Sequence, residues 1–309
     1  MSNETKAQSR HKLTLIAAYF AVYFIWGSTY LAIRFSVETL PPFLTGALRF
    51  LLAGILLYGI ASLRSPARPT WRGWKLALQS SFFSFFICFG GLTYAQRVVP
   101  SAVASLLIAL EAVWFTLFDW LFFKGRRPSR LELVAIFVGF LGCVVLIAGD
   151  PNARWDANPG YFFWSMIIIL LGFSWVFGAL LARKEGIHEN VFMASAMQML
   201  CGGVMLTGAS LFMGDWQHVG TVSAKSIAAV AYLVIFGSLI AYSAYLWLLR
   251  NEPASRVATH VFVNPMIAVF LGWFFAGEEL SFNMAIAAAL IILSVVMTIY
   301  ANKRPNLES

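Results

Sequence analysis

The feature that most constrains this chain is the recurrence of long apolar stretches almost free of charge, at 13–33, 43–62 and 286–301 among others. Roughly 20 apolar residues are enough to cross the hydrocarbon core of a bilayer. Of 309 residues, 60% are hydrophobic and 12% charged, against about 45–50% and about 25% in an ordinary soluble domain. No water-soluble core absorbs that much apolar surface. The polar start up to Lys12 leads into an apolar run too long for a signal-peptide core of about 7–15 residues, so a retained first helix is expected.

Breaks of Pro, Gly and charge divide the chain into ten expected spans, at 13–34, 42–62, 73–95, 100–121, 129–149, 160–182, 190–213, 226–249, 255–276 and 281–301. The expected fold class is an all-α integral membrane protein of ten transmembrane helices. The net charge is +8 and the pI about 9.6, yet the basic residues sit in short tracts between apolar segments rather than in one patch. This distribution argues for membrane topology and against a nucleic-acid partner. With Arg49 inside the second span, one face collects only Arg34, Arg97, Arg154 and Lys225, and the rest of the 22 basic residues fall on the other. Both termini are therefore expected in the cytoplasm. The loops are short, so one compact bundle is expected.

The halves resemble each other. Aligning the first two spans with the sixth and seventh superposes Trp26 on Trp175, Arg34 on Arg183, Arg49 on Gln198 and Gly54 on Gly203. Aligning the third and fourth with the eighth and ninth superposes Arg97 on Arg250, Pro100 on Pro253, Glu111 on Asn264 and Trp120 on Trp273. Five is odd, so the second copy enters the membrane the other way up, giving two inverted five-helix repeats. That architecture recurs in secondary transporters because near-equivalent halves exchange conformations around a central site. The expected organisation is a cytoplasmic tail at 1–12, repeats at 13–149 and 160–301, an external linker at 150–159 and a cytoplasmic tail at 302–309.

The stretch Phe24-Ile25-Trp26-Gly27-Ser28-Thr29-Tyr30-Leu31-Ala32-Ile33-Arg34, the start of the fourth span from Pro100 to Leu107, and Leu110-Glu111-Ala112-Val113 carry a further resemblance. So do Val263-Asn264-Pro265-Met266 and the run from Leu271 to Leu280. Together they resemble the drug/metabolite transporter superfamily, specifically its EamA-type ten-helix permeases, over nearly the whole chain. The resemblance implies export of amino acids, other metabolites or drugs across an inner membrane. Ala112 departs from it, standing where such families often carry proline after the acidic residue. Pro265 keeps the proline in the other half.

An ionisable side chain within a span costs about 2.5–3.5 kcal/mol on insertion scales. Glu111 therefore needs a reason: a substrate-amine or proton site, or an ion pair with Arg49. Arg49 suits a substrate carboxylate, which a guanidinium binds bidentately, or else pairs or snorkels. His260 is read as a proton relay or a core histidine, and Asn264-Pro265 as an opened helix turn or a kink. The candidate substrate-binding residues are Trp26, Tyr30, Arg49, Tyr94, Glu111, Trp114, Trp175, Gln198, Tyr242, Tyr245, His260 and Asn264, with Glu111 and His260 as candidate coupling groups. Asp119, Glu278 and Glu279 read as solvated charges at the membrane interface. Gly139, Gly142 and the Ala287-Ala288-Ala289 run suit close helix contacts.

Cys88, Cys143 and Cys201 fall in apolar segments and suggest no disulfide framework. No phosphate-binding loop, paired-histidine metal motif or nucleophile elbow is present in the sequence. The expectation is a carrier without enzymatic activity, cofactor or metal, whose partners are a small-molecule substrate, the lipid bilayer and protons, and which works as a monomer. Efflux of aromatic or cationic drugs is the alternative. A lipid-head-group flippase or membrane-embedded enzyme is the alternative of another class.

Overall fold

The structure is a computed structural model that describes residues 3–64, 68–122, 127–148, 158–185, 187–252, 257 and 259–303. Among the described residues all regular structure is helical, in ten rods and a short 3-10 turn at Asp215–His218. The rods are α1 (3–36), α2 (Pro42–Arg64), α3 (Trp71–Ala95), α4 (Ser101–Ile108 and Glu111–Phe122), α5 (Arg130–Ala148), α6 (Pro159–Glu185), α7 (Val191–Phe212), α8 (Ala224–Asn251), α9 (His260–Ala276) and α10 (Phe282–Lys303). Seven are long and apolar enough to cross a bilayer alone, and α4, α9 and α10 contain shorter apolar stretches. An even number of crossings returns the chain to the face on which it began.

One boundary differs from expectation and two fall partly outside the described residues. Residues 3–12 are helical and continue α1, because a polar sequence can extend a helix past the apolar stretch once the helix is nucleated. Helix α9 is described continuously from His260, Val257 is also helical, and 253–256 and 258 around the expected start at 255 lie outside the described residues. The linker expected at 150–159 lies outside them up to 157, with α6 starting at Pro159. So do residues 304–309 of the C-terminal tail.

Two pairs of corresponding helices, α2 with α7 and α5 with α10, pack against each other antiparallel, which is a direct geometric expression of inversion. On α2, Gly46 meets Leu206 and Gly54 meets Leu200 of α7, so partner numbers fall as the chain rises. A Cβ on Gly142 of α5 would lie 2.8 Å from Ile291 of α10, while Ser294 Oγ donates to the Ala135 carbonyl at 2.6 Å. The remaining neighbours also exchange under the repeat: α3 packs on α6 as α8 packs on α1, and α4 packs on α6 as α9 packs on α1. The π-helical turns at Phe82–Phe89 of α3 and Leu233–Tyr242 of α8 fall on mated helices.

Burial follows the rule of a lipid solvent. Phe212 is 91% exposed and Phe282 80%, whereas Ser80, Glu132 and Ser294 are fully buried. With no water in the hydrocarbon core, most buried polar groups find partners inside the bundle, although among the described residues the buried side-chain polar atoms of Thr45, Gln96, Ser165, Ser210 and Ser243 have none. Helix starts are capped accordingly: Thr70 accepts from Gly73 N at 3.1 Å, Asn190 from Phe192 N at 2.9 Å, and Ser129 with Glu132 forms a reciprocal capping box.

Glu278 corrects an expectation. Rather than a solvated interface charge, it caps α4: Oε1 accepts from Ser101 N at 2.8 Å and Ser101 Oγ at 2.7 Å, and Oε2 from Ala102 N at 2.9 Å. Gly277 at φ 65° makes the left-handed turn that ends α9, a conformation that costs glycine little. That turn sets the carboxylate against the positive end of α4. The side chain of Asp119 lies outside the described residues.

Two stability predictions follow from these contacts. Gly142→Leu should destabilise the purified protein by about 1–3 kcal/mol through overpacking, while Gly59→Leu, with nothing within 4 Å of the added Cβ, should leave the unfolding midpoint in detergent near wild type. Glu278→Ala should cost about 1–2 kcal/mol by uncapping α4, read as a lowered midpoint in the same assay.

Candidate substrate and coupling site

A cavity of about 50 Å3, mostly apolar but edged by a few polar groups, lies between α1, α3, α4, α6 and α9. Helix α1 lines it with Trp26, Thr29, Tyr30 and Ile33, a stripe at helical spacing, and α3 with Cys88, Phe89 and Leu92. Helix α4 adds Ile108 and Glu111, α6 adds Trp175, and α9 adds His260 and Asn264. The volume suits a water or two and not a metabolite, so the central site is constricted in this conformer.

Glu111 and His260 meet here. His260 Nε2 lies 3.1 Å from Glu111 Oε1, and the residues are 4% and 7% exposed. His260 Nδ1 lies 2.8 Å from the Val257 carbonyl oxygen, which only accepts, so Nδ1 carries hydrogen. The contact between Nε2 and Oε1 therefore needs one proton shared between a carboxylate and an imidazole. Trp26 and Tyr245 stand edge-on to the imidazole at 5.4 and 5.7 Å. The pairing of Glu111 with Arg49 weighed from sequence is thus replaced by one with a residue of the other half.

A break in α4 places Glu111. The helix gives way at Ala109 and Leu110, where Leu110 N turns back to Leu107 O at 3.4 Å, and a new segment starts at Glu111 with Val113 N on Leu110 O at 2.9 Å. The carboxylate thereby sits at the start of a helical segment. No proline is needed, although Ala112 occupies the position where one is often found. Conversely, Pro265 lies inside α9 without ending it. As the sixth residue it lies past the first turn, so it removes the N–H that would otherwise bond the Val261 carbonyl, and the helix continues across that missing bond.

Asn264 fastens α9 to α1. With its amide oriented to suit its neighbours, Nδ2 donates to Tyr23 O at 2.9 Å and reaches Val22 O and His260 O at 3.2 Å. Val22 and Tyr23 belong to the π-helical turn Ala21–Ile25, whose irregular ladder leaves carbonyls for an outside donor. A Cβ on Gly27 would lie 2.8 Å from Ile267, so these two helices approach closely.

The other candidates divide among three places. Trp175, Gln198, Tyr242 and Tyr245 line a second cavity of about 230 Å3 that reaches Arg250 at the terminus-bearing face. Trp175 belongs to both cavities, and its ring packs with Trp26 at 5.9 Å, Tyr245 at 5.9 Å and Phe89 at 5.5 Å; Trp26 and Tyr245 stand 4.8 Å apart. These rings form the wall between the two spaces. Gln198 accepts from Tyr242 OH at 2.7 Å and donates to Ser80 Oγ at 2.8 Å.

Arg49 is 4% exposed, donates through Nε to Ser238 Oγ at 2.9 Å, and lies over the Phe50 and Phe89 rings at 4.8 and 5.0 Å. Among the described residues no carboxylate lies within 4 Å of it, and it does not line the central cavity, being separated by Phe89. Tyr94 stands at the opposite face against Trp164 at 4.8 Å. Trp114 joins α4 to α6 through a bond from Nε1 to Ile169 O at 3.1 Å. Thr29 and Cys88, not singled out from sequence, line the central cavity; Thr29 lies one helical turn from Trp26, and Cys88 adjoins Phe89.

The model of the EamA-like transporter family matches the chain twice, over residues 13–148 and 162–300. An inner membrane transporter of Escherichia coli (strain K12), YedA, is 36% identical over 93% of this chain and 91% of its own length. The transporter YvbV of Bacillus subtilis (strain 168) is 22% identical over 94% of this chain and 93% of its own. A solved crystal structure, 19% identical, superposes with a TM-score of 0.67 over 94% of this chain and 99% of that one. A twofold family match across both repeats and a relative of this identity lead to one conclusion: the chain belongs to the EamA-like transporter family.

Proposed function

We propose that this protein exports amino acids or related small polar metabolites across a bacterial inner membrane by alternating access, exchanging substrate for a proton, with both termini in the cytoplasm. The observation that carries this reading is the buried contact between Glu111 and His260 across the two halves. Removing the shared proton leaves two acceptors facing each other at 3.1 Å, an arrangement that holds no hydrogen bond. Tyr30, Cys88 and Asn264 also border the cavity, and Asn264 spends its donors on backbone carbonyls. A substrate ammonium supplies the missing positive partner to Glu111, so substrate and proton compete for one place.

Arg49 supports the amino-acid reading. A guanidinium buried in a span, with no carboxylate beside it among the described residues, suits an anionic group on the ligand, reached once Phe89 moves. The ring cluster of Trp26, Trp175, Tyr242 and Tyr245 supports the second reading, efflux of aromatic or cationic compounds, because ring faces attract cations. The bias of basic loops supports the orientation, and the printed name of the E. coli relative supports the membrane.

Liposomes holding the purified protein, loaded with labelled amino acids or a cationic dye and studied with and without a pH gradient, test the first reading. Wild type should move an amino acid in a gradient-dependent way. Glu111→Gln should lose that dependence and slow net transport by about tenfold, the scale of one hydrogen bond to a charged group. Gradient-independent movement unchanged in the variant would refute proton exchange. Arg49→Gln should abolish transport of carboxylate-bearing substrates while sparing a simple cation; if both fall equally, Arg49 is structural.

A further inference from the structure

Inverted repeats make a specific demand on a carrier: a contact made by one half at one face has a counterpart in the other half at the opposite face, made in the alternate state. One such pair differs between the two faces here. At the terminus-bearing face Arg250, at the end of α8, donates from Nη1 to Glu189 O and from Nη2 to His188 O, in the turn between α6 and α7. The repeat superposes Arg250 on Arg97 at the end of α3, and His188 and Glu189 on Thr39 and Leu40 in the turn between α1 and α2.

At that opposite face the corresponding groups are apart. The Arg97 guanidinium lies over the Tyr94 ring at 5.5 Å, and among the described residues it makes no hydrogen bond to the carbonyl of Thr39 or Leu40. A cavity of about 390 Å3 lies between them, bordered by Thr39, Leu40, Phe43, Tyr94 and Arg97. The turn itself is held on its other side, where Ser223 N donates to Thr39 Oγ1 at 3.2 Å and Lys225 bridges Glu38 at 2.7 Å. Both of those partners belong to the approach to α8 and its first turn, so neither draws α3 towards the turn.

We propose that Arg97 and Arg250 are alternating latches of the transport cycle, Arg250 closing the terminus-bearing face in the conformer seen here and Arg97 closing the opposite face, on the carbonyls of Thr39 and Leu40, in the alternate one. A guanidinium presents a planar fork of donors that spans two adjacent carbonyls, which an ammonium does not. Arg97 and Arg250 are both solvent-exposed, so water replaces the lost bonds when a latch opens. The bias between states then stays small enough for substrate to reverse.

Distances between spin labels in liposomes test this without any substrate, so the latches stand or fall separately from the substrate assignment. One pair sits at Glu189→Cys and Glu252→Cys, the other at Pro41→Cys and Val98→Cys, in a background whose three cysteines are alanine. The unmodified latches should give a short first distance and a long second one. Arg250→Ala should lengthen the first and shorten the second together, shifting the ratio of conformers by about tenfold. Arg250→Lys should shift it less, and provides the test should the alanine variant not fold. Arg97→Ala should leave the present conformer dominant and remove the minor population with a short second distance. A change in the first distance without a reciprocal change in the second, or no change in either, would overturn the proposal.

Discussion

A bilayer offers no water to a stranded polar group, and most of what is specific in this bundle follows from that constraint. Backbone groups are consumed within helices, and where a helix starts or its ladder is disturbed a side chain completes the bonding. Glu278 serves the start of α4 from the end of α9, and Asn264 serves the π-helical turn of α1 from α9. In both cases α9 of one half satisfies a helix of the other. The polar groups that hold the halves together are thus the ones the solvent forbids to stand alone.

The same constraint gives the central site its character. A carboxylate and an imidazole persist at this depth because each meets the other and one proton serves both. Around them the rings of Trp26, Trp175 and Tyr245 pack into one cluster, leaving about 50 Å3 on one side and about 230 Å3 on the other. Ring contacts of this kind contribute roughly 0.5–1.5 kcal/mol each beyond burial, small enough to be exchanged for contacts with a ligand. The wall is therefore suited to move against the closely packed interfaces between α2 and α7 and between α5 and α10.

The two repeats share a path but not their chemistry. Mated positions Glu111 and Asn264 both border the cavity, one ionisable and one neutral. Helix α4 breaks without a proline, whereas α9 accommodates one without breaking. An exact repeat would place two carboxylates at the centre, whose mutual repulsion at low dielectric is severe. Substituting an amide in one half, and supplying a histidine beside it, leaves a single titratable pair.

Hydropathy, the distribution of Lys and Arg, and the match of Trp26 with Trp175 or Arg97 with Arg250 are one-dimensional signals, so the membrane class, the spans and the two related halves were legible in the sequence. Glu111, His260, Asn264, Trp26, Tyr30 and Trp175 were legible as candidates because polar and aromatic residues within spans are conspicuous. Their grouping was not. That His260, and not Arg49, faces Glu111, that Tyr94 and Trp114 stand apart from the centre, and that Glu278 caps a helix rather than meeting solvent depend on which helices touch and at what rotation. Apolar helices in lipid have no strong periodicity to announce that rotation, since lipid-facing and protein-facing sides are both hydrophobic. Only the packed bundle, which sets which polar groups can reach one another, decides it.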